Sequence, residues 1–244
     1  MAAAISVVRK GAGPEVLLVH GGASPQTTWR GLEHLAARWE LAYAYRRGYP
    51  PSPEWDERQD FDVDAADIEP LLATRPHLVA HSYGSLGSLI AVGRHPELVR
   101  SVTIIEAPLN YLAPDHPDAQ HLEELGDEVL THGMDAEPGR LREFLALAGA
   151  PVDEGPLPRQ VVAGVRRAHG GRLPGEARPD LDAIRVAGVP ALIASGDHAP
   201  GIEAVCDALA GRLGAERAVC PGAGHFVAAA PGFSERLETF LRQL

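Results

Sequence analysis

Ser82 stands in the pentapeptide Ala80-His81-Ser82-Tyr83-Gly84, directly after the apolar run His77-Leu78-Val79. A serine hydroxyl is a poor nucleophile at neutral pH and works only when a base removes its proton and donors stabilise the oxyanion it creates. A small-x-Ser-x-small pattern at a strand end lets the chain bend sharply enough to lift the serine out of the sheet. Of the eleven histidines, His225 has the setting a base needs: it lies in the glycine-rich stretch Gly222-Ala223-Gly224-His225-Phe226, between the last predicted strand and the last predicted helix. A third group, a carboxylate, must fix the imidazole tautomer and stabilise the imidazolium. Asp197, in Gly196-Asp197-His198-Ala199-Pro200 after the apolar run 191–195, is the candidate. Each residue also has a plainer reading. Ser82 suits a helix N-cap, and Asp197 could cap a helix opening near Pro200.

Those side chains must be positioned by an alternating pattern of strands and helices. Apolar runs predict strands at 5–9, 16–19, 41–45, 78–80, 102–106, 189–195 and 217–220. Helical spacing predicts helices over 28–38, 63–73, 83–93, 202–212 and 233–241, the second with an acidic start at Asp62 and Asp64. The alternation implies a mostly parallel sheet covered on both faces. It breaks between 108 and 186, where only helical segments occur, near 119–131, 140–148 and 159–168. The organisation read here is a core of 1–107 and 187–244 with a helical insertion at 108–186.

Four motifs in this order, His20-Gly21-Gly22, the Ser82 pentapeptide, Gly196-Asp197 and Gly224-His225, resemble the α/β-hydrolase superfamily over essentially the whole chain. The insertion falls where that family commonly carries a helical cap. The resemblance implies Ser82 as nucleophile, His225 as general base and then acid, and Asp197 as the orienting carboxylate, although some family members place the acid where Glu106 stands. It implies an oxyanion hole made by the backbone N–H groups of Tyr83 and Gly22 (or Ala23). Two departures stand out. Ala80 replaces the usual first glycine of the elbow, and one strand instead of two precedes Val16, so seven strands are expected instead of eight. His20 is expected to brace the oxyanion loop, and His81 to be structural, turned away from Ser82. Ala23, Trp29, Leu109, Tyr83 and Phe226 are candidate pocket residues, with core packing as the plain alternative. Leu122, Leu125, Phe144 and Leu147 mark a buried face of the insertion, and His198 reads as an incidental loop residue.

A chain of 244 residues that is 45% hydrophobic supports one substantial core. The net charge of −11 argues against nucleic acid and anionic membrane surfaces as partners. Cys206 and Cys220 make neither a metal-ligand spacing nor a disulfide framework. The N-terminal apolar stretch precedes its basic residues, the reverse of a secretory signal, so a cytoplasmic protein is expected. The expected function is serine-dependent hydrolysis of a small ester or lactone through an acyl-enzyme, with a small-molecule acyl substrate and no metal or organic cofactor. Other readings on the same scaffold are a C–C bond hydrolase, a thioesterase or a non-hydrolytic lyase or isomerase. A binding protein that retains the triad is a further one.

Overall fold

Along the strand Glu15–Val19, Val16 and Leu18 face one way and Leu17 and Val19 the other, and all four are fully buried. Successive side chains alternate across a strand, so burial on both sides means that the sheet is covered on both faces. A computed structural model describes residues 5–55 and 57–244; residues 1–4, part of the stretch on which the expectation about a secretory signal rests, lie outside the described residues, as does Asp56. The strands are β1 (Ser6–Lys10), β2 (Glu15–Val19), β3 (Glu40–Tyr45), β4 (His77–His81), β5 (Ser101–Ile105), β6 (Ala191–Ser195) and β7 (Glu216–Val219). They form one seven-stranded sheet in the order β1-β3-β2-β4-β5-β6-β7. Among the described residues only β1 runs antiparallel, against β3. The strand count and the α/β architecture follow the expectation.

The helices are α1 (Pro25–Thr28), α2 (Phe61–Ile68), α3 (Gly84–Arg94), α4 (Pro117–His132), α5 (Pro138–Leu147), α6 (Arg159–Ala168), α7 (Leu181–Val186), α8 (Pro200–Leu213) and α9 (Phe233–Leu241). On one face of the sheet, Leu17, Val19, Leu78 and Ala80 pack with Phe61 and Ile68 of α2, Leu86 and Leu89 of α3, and Val205 and Leu209 of α8. On the other, Val16, Leu18 and Val79 pack with Trp29, Leu32, Trp39 and with Phe233, Leu237 and Phe240 of α9. Each fully buried Leu, Val or Phe contributes about 1.5–3 kcal/mol relative to exposure. Two predicted helices are broken. The stretch 28–38 splits into α1 and a 3-10 turn at Glu33–Ala37. Gly31 lies between them at φ 99°, where a side chain would collide with the Ala228 carbonyl. The stretch 63–73 ends its α-helix at Ile68 and continues as a 3-10 turn, because Pro70 has no N–H to offer the carbonyl of Ala66.

Within 108–186, α4, α5 and α6 share a small core of their own built on Val129, Leu141, Leu145, Val161 and Val165. The last helix of that stretch, α7, differs: Leu181 and Ile184 join the main core beside α3 and α8. Among the described residues no helix is long and apolar enough to cross a membrane.

Candidate active site

The chain leaves β2 for β3 on one side and then returns to place β4 on the other side of β2. Such a reversal opens a crevice at the C-terminal ends of the two strands, the usual ligand site of an open parallel sheet. Ser82 follows β4 there, and His20-Gly21-Gly22 follows β2. Ser82 sits in the left-handed region at φ 52°, a conformation that costs a non-glycine residue of order 1–3 kcal/mol and recurs at functional sites. The turn is held by its neighbours. Ser82 N–H donates to the Ile105 carbonyl at 2.8 Å, and Ser85 N–H to the Ser82 carbonyl at 2.9 Å. Gly84 lies so close to the His20 carbonyl that a β-carbon would collide with it, and a β-carbon on Gly21 would stand 2.7 Å from Ser82 Cβ. The strand-end serine and the loop after β2 are therefore packed backbone against backbone.

That loop is fixed by buried donors. His20 is fully buried, with Nδ1 3.0 Å from the Gly21 carbonyl and Nε2 accepting from Arg46 N–H at 3.1 Å. Burial, aided by the charge of Arg46, pushes its pKa down to about 3, so the ring is neutral and Nδ1 carries the proton. Arg46 Nη1 also donates to the Gly21 carbonyl at 3.1 Å, and the Tyr49 hydroxyl donates to the Gly22 carbonyl at 2.7 Å. With both carbonyls held back, the amides of Gly22 and Ala23 donate to no described residue, and neither does the amide of Tyr83 at the start of α3. First-turn amides of a helix lack intrahelical acceptors and carry the positive end of its dipole. His20 thus has the bracing role expected of it.

Arg46 is itself buried and bonded to Asp64 by two of its nitrogens, at 3.0 and 2.6 Å. Burial raises the Asp64 pKa, opposed by the guanidinium. Arg46→Met should therefore cost about 3–5 kcal/mol in urea unfolding, the typical penalty for leaving one buried charge unpaired. Adding Asp64→Leu should recover most of that stability, since the orphaned charge is then gone.

His225 and Glu106 meet across the crevice. His225 Nδ1 lies 2.6 Å from Glu106 Oε2, and the other oxygen, Oε1, accepts from Gly196 N–H at 2.8 Å. Glu106 follows β5 in the left-handed region, at φ 48°, and is almost fully buried. Burial pushes its carboxyl up to about 7, against the opposing pull of His198 and the Gly196 amide. The same burial pushes His225 down to about 3, with the charge of His198 adding to it, so the imidazole is neutral at pH 7. Both shifts favour uncharged forms because neither group is well hydrated, and the pair titrates as a unit.

Asp197 is corrected by this geometry. It is exposed, at φ 53°, and its N–H donates to Glu203 at 3.0 Å; the carboxylate that meets His225 is that of Glu106. The loop after β6 serves Glu106 through the Gly196 amide. His198 is not incidental: Nδ1 stands 3.5 Å from Glu106 Oε1, while Nε2 donates to the Leu147 carbonyl at the end of α5, 3.1 Å away.

Ser82, Glu106 and His225 line one cavity of about 560 Å³ together with Gly22, Ala23 and Tyr83. Among the described residues no hydrogen bond joins Ser82 to His225 in this arrangement; the two share the cavity wall. The rest of the wall is mostly apolar, with Leu122, Phe144 and Leu147 from the inserted helices and Phe226 beside His225. Two candidate pocket residues are corrected. Trp29 and Leu109 are essentially fully buried core side chains outside the lining, one on each side of the sheet. Leu125 is likewise wholly buried and outside the lining.

His81 packs against the His225 loop. Strand parity places it on the same face as His77 and Val79, toward Trp29, and its ring centre is 4.5 Å from that of His225. Its Nε2 donates to the His225 carbonyl at 2.8 Å, and burial pushes its pKa down to about 3, keeping the ring neutral. It is a positioning residue for the histidine loop. The sequence signal for it was the alternation along β4. Arg46 and Arg47 have a fainter sequence signal, two arginines after β3 and two aspartates, Asp64 and Asp67, spaced one helical turn apart on α2.

Ligand atoms of Glu106, His198 and His225 all lie within 4.8 Å of one another, a donor set able to hold a cation. The 2.6 Å contact between His225 and Glu106 occupies two of those donors, so a cation would have to replace it. As it stands, the arrangement offers a neutral imidazole, oriented by a carboxylate, and unpaired amides beside a strained serine. That set can transfer a proton and stabilise a developing oxyanion.

Comparison with known proteins agrees with this topology. The chain is 29% identical to a 2-(acetamidomethylene)succinate hydrolase of Mesorhizobium japonicum, over 91% of this chain and 85% of that protein. It is 32% identical to a pimeloyl-[acyl-carrier protein] methyl ester esterase of Methylococcus capsulatus, over 70% of this chain and 65% of that protein. A malate-bound thermophilic esterase from Thermogutta terrifontis superposes with a TM-score of 0.70 at 19% identity, over 98% of this chain and 93% of the other, a likeness of fold. Residues 16–235 match the alpha/beta hydrolase family, and the chain belongs to that family.

Proposed function

We propose that the protein is a serine hydrolase that cleaves a small carboxylic ester or lactone through an acyl-enzyme, with Ser82 as nucleophile, His225 as base and Glu106 as the orienting acid. The observation that carries this reading is the 2.6 Å contact between His225 Nδ1 and Glu106 Oε2 in the cavity that Ser82 also lines. In the first half-reaction His225 Nε2 takes the Ser82 proton as Oγ bonds to the substrate carbonyl carbon. The carbonyl π pair moves to oxygen, where the amides of Tyr83 and Gly22 (or Ala23) receive it. Collapse of the tetrahedral species expels the alkoxide, which takes the proton from His225. In the second, His225 removes a proton from water as the water attacks the acyl carbon, and the Ser82 oxygen leaves with that proton, releasing the carboxylic acid. Glu106 keeps the proton of neutral His225 on Nδ1, leaving Nε2 free to act, and stabilises the imidazolium.

The inserted helices act in this reading as a cap whose apolar residues select the acyl chain. The names of the two sequence relatives support a panel that includes methyl esters and unsaturated diacid derivatives. Assayed on p-nitrophenyl esters of rising chain length, simple methyl esters and γ- and δ-lactones, the protein should turn over at least one ester class. The rate should rise with acyl length until the cavity of about 560 Å³ is filled. A protein inert toward the whole panel would contradict the reading.

A further inference from the structure

A second cavity, of about 270 Å³, opens where the loop around Trp55 meets the last turn of α6. Five arginines line it, but they are not equivalent. Arg46 and Arg47 are engaged with Asp64 and Asp67, each at 2.6 Å. Arg58, Arg166 and Arg167 form no ion pair with a described residue, and of the acidic side chains in the wall Asp64 faces Arg46 and Asp60 lies 3.6 Å from Arg172, leaving Glu57. The described residues of the wall therefore hold an excess of positive charge in a chain whose net charge is −11. Cations are favoured near a helix C-terminus, which accounts for arginine in this turn of α6. It does not account for two adjacent arginines and Arg58 from another loop converging on one cavity.

The two cavities share a boundary, because Gln59 and Arg167 line both. The Arg167 guanidinium lies 4.2 Å from the centre of the Tyr49 ring, and the Tyr49 hydroxyl is the group that holds the Gly22 carbonyl. We propose that this arginine pocket binds an anionic group, a carboxylate or a phosphate, carried by the acyl substrate at the end remote from the scissile bond. The apolar cavity takes the chain between the two ends. Guanidinium groups suit such a ligand because their planar donors match carboxylate and phosphate oxygens in pairs. The substrate half of this inference rests on the esterase reading; the anion site does not.

The test is binding to the Ser82→Ala protein, so that no turnover intervenes. Calorimetry compares monomethyl esters of straight-chain dicarboxylic acids with the matching dimethyl esters, with inorganic phosphate as a separate arm. The monoester of matching length should bind about tenfold or more tightly than its neutral diester, and the preference should weaken in high salt. Adding Arg58→Gln and Arg166→Gln should bring the ratio to about one. Equal binding of monoester and diester, or a preference that survives both substitutions, overturns the proposal. Phosphate that competes with the monoester supports one shared anion site, whereas phosphate that binds without competing overturns the substrate assignment in favour of a free anion. If the unmutated protein hydrolyses no ester while the Ser82→Ala protein still prefers the monoester, the esterase reading fails and the anion site stands.

Discussion

Replacing Ser82 with alanine should lower kcat/KM for the best ester by about ten-thousandfold or more, while leaving the fold intact. In the proposed mechanism the magnitude follows from loss of the nucleophile in a set of residues that act as a unit; what remains is the contribution of binding and of the proposed oxyanion donors. Those donors are unaffected by the change, since the amides of Tyr83 and Gly22 belong to the backbone. Retention of fold is expected because Ser82 Oγ forms no structural hydrogen bond among the described residues, and the turn is held by its backbone bonds to Ile105 and Ser85. Alanine at φ 52° bears the same strain as serine. Steady-state kinetics and a far-UV thermal melt on the same preparation check both halves.

The second large effect concerns the acid. Glu106→Gln should reduce kcat by about a thousandfold to ten-thousandfold, because an amide facing His225 Nδ1 no longer enforces the tautomer or stabilises the imidazolium. Asp197→Asn should stay within about threefold, its carboxylate being exposed and away from His225. Glu106→Gln carries an opposite expectation for stability. The Glu106 carboxyl is raised from its ordinary 4.5 to about 7 by burial, so the folded protein holds this proton more tightly than the unfolded chain does. Stability associated with the proton is complete below about 4.5 and is lost as pH rises through 7. A shift of that size corresponds to about 3 kcal/mol. Glu106→Gln, which has no proton to lose, should therefore gain up to about 3 kcal/mol over the parent between pH 4.5 and pH 8 in urea unfolding. A variant less active and more stable at pH 8, with no gain at pH 4.5, is the expected pair of results.

Much of this was legible in the sequence where backbone chemistry decides. Ser82 and the His20-Gly21-Gly22 loop are marked by small residues at strand ends, and the structure needs smallness there: Gly84 faces the His20 carbonyl and Gly21 faces Ser82 Cβ. His225 is marked by the glycines before it. The proposed acid was harder, because β5 and β6 are both followed by a carboxylate in the left-handed conformation, Glu106 at φ 48° and Asp197 at φ 53°. Which one turns inward depends on the loop that closes over it. The available clue was composition. Glu106 is flanked by Ile104, Ile105, Ala107 and Pro108, as a buried carboxylate would be, whereas Asp197 is followed by His198 and lies beside Gly196.

Trp29 and Leu109 mark another limit. Apolar residues near a site in sequence carry no label for the side on which they pack, and both joined the core. Strand parity did carry such a label for His81, which shares a face with Val79 and so meets the His225 loop. How α4, α5 and α6 line the cavity was illegible because it depends on tertiary placement: their 3.6-residue spacing marks which faces are buried, not which of them look into the cavity.

The most direct test of the relay is labelling by a fluorophosphonate, which reacts only with an activated serine. The expected result is a single adduct that peptide mapping places on Ser82, formed rapidly in the parent and in Asp197→Asn and strongly slowed in His225→Ala and Glu106→Gln. Absence of an adduct, an adduct on another residue, or slowing by Asp197→Asn with Glu106→Gln unaffected would contradict it.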